Sequence, residues 1–246
     1  MIGTRKWIEK TSGDLSGLDR LRLMSIIVRL RLKARFQSAL SLAMSPDHLD
    51  AAMPDSKLVK LAAEECRDCC SPAIYHHSFR TYFWADALAK LAAIRHDAEE
   101  LAVASLLHDL ELGKVQTRSN EHCNCFAGAG AATADRWLKS HQVGPHKREA
   151  ITEAIALHLN PGVPLALGAT PHLLNIGAMA DVVGTRMDAI AEHHREQVLA
   201  NHPRSDFKQE MKRLMQAEQQ CAPKTRAGFL MTISFARLIE NAPFES

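Results

Sequence analysis

The apolar run LAVASLL at 101–107 closes on two ionisable side chains, His108 and Asp109. Whatever buries that run must also bury an imidazole and a carboxylate at its end. An unpaired buried charge is costly, so the fold has to deliver partners from other segments, either through a shared metal ion or through a strong hydrogen-bond network. Three further features can complete a metal site: His77 in HHSFR (76–80), His158 in AIALH (154–158) and Asp181 in GAMADVVG (177–184). Each lies on an apolar stripe with helical spacing. On the segment 73–93, Ile74, His77, Ser78, Thr81, Ala85, Leu88 and Ala92 share one face, which places His77 inward.

The rest of the chain reads as helices. Aromatic residues make up only 5% while Ala and Leu are abundant, which favours helix over sheet. Residues 1–16 read as irregular. A helix is predicted from Leu18 to about Met44, although VRLRLKAR (28–35) alternates like a strand. The prolines of SPDHLDAAMPDS (45–56) mark a linker, dividing an arm (1–55) from a main domain (56–246). Further helices are predicted at about 57–67, at 73–93 after Ser71-Pro72, and from His96 or Asp97 to the His-Asp pair. After a polar loop at 111–126, others follow at about 127–141, 146–159, 172–201, 205–220 and 225–240. The fold class is therefore all-α.

At 246 residues the chain can bury a substantial core. No run approaches the ~18 apolar residues that span a bilayer. MIGTRKWIEK carries no apolar signal run, so a cytoplasmic location is expected. In a reducing compartment the six cysteines are expected to be free thiols, not a zinc site built on ECRDCC and HCNCF. Charge is uneven: residues 1–35 carry nine basic and three acidic side chains, a balance of +6 that leaves −4 for the remainder of a chain totalling +2. That basic arm is expected to fold on the body or on a second subunit, through Leu21, Met24, Val28 and Leu32, in a homodimer. No aromatic platform or nucleic-acid motif accompanies it, so nucleic acid is not an expected partner.

His77, His108, Asp109 and Asp181 offer two nitrogens and two oxygens. That set suits a divalent ion such as zinc or iron, with manganese and nickel also admissible. Such an ion activates water for attack on a small-molecule substrate. His158 reads as a second-metal ligand, as a proton donor facing substrate, or as a plain helix-end histidine. Arg80, three residues beyond His77 on nearly the same face, reads either as an anchor for a polar substrate group or as a structural ion pair. With Asp109, these two make up the expected catalytic set.

The ordered set His77, His108-Asp109, Asp181 resembles the HD metal-dependent hydrolase superfamily, which implies an HD-domain helical bundle behind the N-terminal helical arm. Local stretches resemble its cyanamide hydratase-like branch: HSFR (77–80), LLHDLELG (106–113), FAGAGAATADRWL (126–138), AIALH, GAMADVVG and NHPRSDF (201–207). The likeness covers about 70–240. Glu111-Leu112 depart from the His-Asp-x-Gly that many members carry. The branch implies hydration of a nitrile-like or cyanamide-like substrate to a urea-type product. The wider superfamily implies hydrolysis of nucleotides or phosphoesters, with Lys114 and Arg118 near the expected pocket mouth. A minority implies di-iron oxygen chemistry, and regulatory members bind ligands without catalysis.

Overall fold

Two helices cross so closely that only a glycine fits between them. Helix α4 (Pro72–Leu91) and helix α8 (Ala169–Val183) form the most extensive helix pair of the fold. A Cβ on Gly177 would stand 2.3 Å from the Thr81 carbonyl oxygen and 2.7 Å from the Ala85 Cβ. The computed structural model describes residues 1–37, 52–114 and 125–244, with side chains as far as Leu32 in the first stretch. The chain is all-α: twelve α-helices make 71% of it helical, with no strand among the described residues.

Around that pair the main core is closed by α3 (Lys57–Cys69), α5 (Ala98–Leu107), α6 (Phe126–Ser140) and α7 (Pro145–Leu157). Helix α5 is buried from Leu101 to Leu107, as its apolar run demands. Its start is fixed by Asp97, whose side chain accepts from the Glu100 amide. Helices α3 and α4 start where Ser56 and Ser71-Pro72 predict, with the Ser56 hydroxyl accepting from the Val59 amide. A second apolar cluster gathers α10 (Phe207–Cys221), α11 (Arg226–Thr232) and α12 (Phe235–Glu240) against α8.

Three expectations are corrected. Residues 1–16 are not wholly irregular, because Arg5–Thr11 forms helix α1. Thr4 caps it, accepting from the Trp7 amide, and Ser12 ends it at φ 54°. A helix of seven residues is too short to show a period, so capping alone could have revealed it. The long helix predicted over 172–201 is two, α8 and α9 (Glu192–Asn201), separated at Gly184, whose φ of +78° is left-handed. The helix predicted at 225–240 breaks at Ser234, with φ 75°.

The basic segment forms α2 (Gly17–Gln37), a helix through VRLRLKAR and not a strand. Its continuation to Met44 and most of the expected linker lie outside the described residues. The N-terminal stretch is stitched to the body: the Ile2 carbonyl accepts from Asn160, the Arg5 amide donates to Glu153, and the Leu15 amide donates to the Lys224 carbonyl. Leu23 of α2 is buried with Ile2, Leu15 and Phe229. The face expected to pack, Leu21, Met24, Val28 and Leu32, is exposed within this chain. No helix among the described residues is long and apolar enough to cross a membrane.

Gly177→Ala should lower stability by about 1–3 kcal/mol in denaturant unfolding, because a backbone oxygen cannot yield at 2.3 Å. Gly17→Ala, which meets open space in a helix, should be neutral or slightly stabilising. Equal stability of the two variants would contradict the close crossing.

Candidate metal centre

His108 sits at the C-cap of α5 and Asp109 follows in the turn that ends at Gly113, φ +86°. The turn is tied to its neighbours at both ends. Gly130 of α6 passes close under it, since a Cβ there would lie 3.4 Å from the His108 carbonyl oxygen. Glu111 accepts from the Thr133 hydroxyl at 3.0 Å. His77 reaches the same point from α4, and His158 from the C-cap of α7. The turn carrying His158 is held by Asn175 of α8, which donates to the carbonyls of His158 (2.7 Å) and Asn160 (2.8 Å).

His77, His108 and Asp109 form a buried group able to hold a metal ion. His77 Nε2 and His108 Nε2 are 3.2 Å apart, and Asp109 Oδ2 lies 3.6 Å from the first and 3.2 Å from the second. A tetrahedral ion with bonds of about 2.0–2.1 Å has ligand–ligand edges near ~3.3 Å, which is the triangle seen here. The tautomers point the same way. His77 Nδ1 donates to Asp181 Oδ2 at 2.7 Å, and His108 Nδ1 donates to the Ser105 carbonyl at 2.7 Å. Each Nε2 therefore carries a lone pair, and neither has a hydrogen for the other unless a ring is charged. With both rings neutral, two lone pairs and a carboxylate oxygen converge on one point, an arrangement that can hold a metal ion.

His158 belongs to the same cluster. Its Nδ1 donates to the Ile155 carbonyl at 2.7 Å, leaving an Nε2 lone pair 3.5 Å from Asp109 Oδ1. Burial, then the neighbouring His108, pushes its pKa down to about 3. The neutral ring thus presents an acceptor nitrogen to the cluster.

Asp181 is not in that triangle. It stands behind His77, and five N–H groups occupy its two oxygens. Oδ1 accepts from Arg80 Nε (2.8 Å), Trp84 Nε1 (2.9 Å) and Arg204 Nη1 (2.9 Å), and Oδ2 from Arg80 Nη2 (2.9 Å) and His77 Nδ1. His77, Arg80 and Trp84 recur at i, i+3 and i+7, so one face of α4 supplies most of these donors. The expected ligand is thus a carboxylate that fixes the tautomer and angle of a ligand, an arrangement common behind metal-bound histidines. Although burial opposes ionisation, Arg80 and Arg204 hold its carboxyl well below the usual range.

Arg80 is fully buried, and beyond Asp181 it donates to the carbonyls of His202 and Pro203. Of its two sequence readings, the structure takes the ion pair and does not turn it toward the site. Arg204 and Phe207 were missed in the sequence reading of roles. The Phe207 ring stacks on His77 at 4.8 Å and lies under both guanidinium groups, at 5.0 Å and 4.8 Å. Their one signal was NHPRSDF, which carries no helical period. Arg118 and His122 lie outside the described residues, as does Cys123; Cys66, Cys69, Cys70 and Cys221 form no disulfide.

The triangle opens on a cavity of about 30 Å³ lined by His77, His108, Asp109 and His158 on one side. Apolar side chains line the rest, among them Leu112, Phe126, Phe235 and three methionines, Met179, Met211 and Met215. Among the described residues no Lys or Arg lines it. The chain matches no family model and no curated protein.

Two outcomes are expected. Asp181→Asn should cost about 3–5 kcal/mol in chemical unfolding, because it strands two buried guanidinium groups without their counter-charge. A loss below about 1 kcal/mol would contradict the network. Second, burial works against a charged His108, but Asp109 beside it lifts its pKa above 6.5. A proton on His108 competes with the metal, so affinity is full above that raised pKa. It should fall about tenfold per pH unit below it, beginning above pH 6.5. Zinc titrations against a chelating dye from pH 8 down to pH 5.5 check this; affinity flat across that range would exclude His108 as a ligand.

Proposed function

We propose that this chain is a metal-dependent enzyme that adds water to a small, neutral, polar molecule of nitrile or cyanamide type. The observation that carries the proposal is the convergence of tautomer-fixed His77 and His108 with Asp109 at the wall of a small, mostly apolar cavity. Zinc and iron suit this set of two imidazoles and a carboxylate best. When bound, such an ion supplies Lewis-acid polarisation and lowers the pKa of water.

The chain's own residues supply the rest. Neutral His158 accepts a hydrogen bond from water and aims one lone pair of its oxygen at the substrate carbon. Asp109 brings a carboxylate oxygen to the same point, and its negative charge compensates part of that of a bound ion. The apolar wall of Phe126, Met179 and Met215 excludes bulk water and leaves room for a substrate of few heavy atoms. The balance is simple: oxygen adds to the carbon of C≡N and both hydrogens finish on nitrogen, so R–C≡N becomes R–C(=O)–NH₂ without redox change.

The resemblance to the cyanamide hydratase-like branch of the HD superfamily supports the same reading. A phosphoester substrate finds less support, because the described lining offers no cation to a phosphate and Arg80 is committed to Asp181. The test is a panel of cyanamide, small nitriles, nucleotides and phosphomonoesters assayed with zinc- and iron-loaded protein. Cyanamide or a nitrile should be converted, and His158→Ala should lower kcat by about 10²–10⁴-fold. Phosphate release without conversion of any C≡N compound would overturn the proposal.

A further inference from the structure

Helix α2 has two apolar faces, and the body covers one of them. Leu23 is 2% exposed and Ile27 is half-buried on the inner side. On the opposite side Leu18 (66%), Leu21 (68%), Met24 (36%), Val28 (47%) and Leu32 (50%) stand in solvent. At 100° per residue these five fall within about 120° of the helix circumference, so they form one stripe rather than scattered exposures. A continuous exposed stripe of this kind marks a contact surface.

Its borders decide what it contacts. Arg22 and Arg29 flank the stripe on one side, Arg20 and Arg31 on the other. Asp19 is the helix's one acid, and it is buried, accepting from the Ser16 amide and hydroxyl. A two-fold pairing of this helix with its own copy would set Arg22 against Arg29 with no acid to offset them, which is unfavourable at a closed contact. Arginine on both borders, without alternation of sign, carries no code for a particular protein helix. It suits a surface that is apolar beneath and uniformly negative above. Leucine, valine and methionine would enter the acyl boundary while the arginines extend sideways to anionic headgroups.

We propose that the outer face of α2 is a peripheral docking surface for anionic phospholipid bilayers, holding the enzyme on a membrane without crossing it. The full-length protein is sedimented with vesicles of phosphatidylcholine alone and of phosphatidylcholine mixed with phosphatidylglycerol, at low and high salt. Binding should be at least about tenfold tighter to the mixed vesicles and weaken with salt. The double substitutions Leu21→Glu with Val28→Glu, and Arg22→Gln with Arg29→Gln, should each weaken it by about tenfold or more. All four positions are exposed, so circular dichroism and thermal unfolding should be unchanged, which separates lost docking from misfolding. Absence of vesicle binding, or equal binding to both vesicle types, would overturn the proposal. So would a wild-type dimer that binds no vesicles and that Leu21→Glu with Val28→Glu makes monomeric, since a second copy would then be the occupant.

Discussion

The buried carboxylate of Asp181 is the interaction on which the site depends. Five N–H donors from α4 and from the stretch before α10 meet on it, and one of them is the Nδ1 of His77. A single fully buried charge therefore docks α4 on α8, fixes the segment carrying Arg204, and sets which nitrogen of His77 faces the cavity. Two guanidinium groups against one carboxylate leave an excess of positive charge. It is offset by the faces of Phe207 and Phe244, the latter 3.9 Å from the Arg204 guanidinium carbon.

The same logic recurs around the other two histidines. His108 and His158 each end a buried helix, and each uses Nδ1 to satisfy a carbonyl three residues back in its own chain. Helix ends leave such carbonyls without intrahelical partners, so an imidazole at the cap removes that deficit and fixes its own tautomer at once. Three helix-borne rings are thereby oriented with Nε2 toward Asp109 before any ligand arrives. The cost is borne by the fold, which must bury four ionisable groups, and the reward is a site with little left to reorganise.

Much of this was legible in the sequence. An imidazole-carboxylate pair closing a seven-residue apolar run cannot be explained by packing, and His77 and His158 lie at inward positions of helical patterns. The all-α architecture followed from Ala- and Leu-rich periodic segments. The division of labour between the two aspartates was not legible. A carboxylate on a helical stripe has the same pattern whether it touches a metal or the histidine in front of it, and that choice is made by Arg80, Trp84 and Arg204. Arg204 lies beyond a helix break at Gly184, where periodicity carries no information. Which side of α2 meets the body was not legible for a related reason: a helix with apolar residues on opposite sides does not say which side the body covers.

The central claim is that His77, His108 and Asp109 close on one divalent ion. The most direct measurement is elemental analysis of purified protein, stripped and reconstituted with zinc or iron, beside His77→Ala and His108→Ala prepared identically. The account requires about one ion per wild-type chain, and well below half in each variant with helical content unchanged. Stoichiometric metal retained in both variants, or none in the wild type after reconstitution, would contradict it.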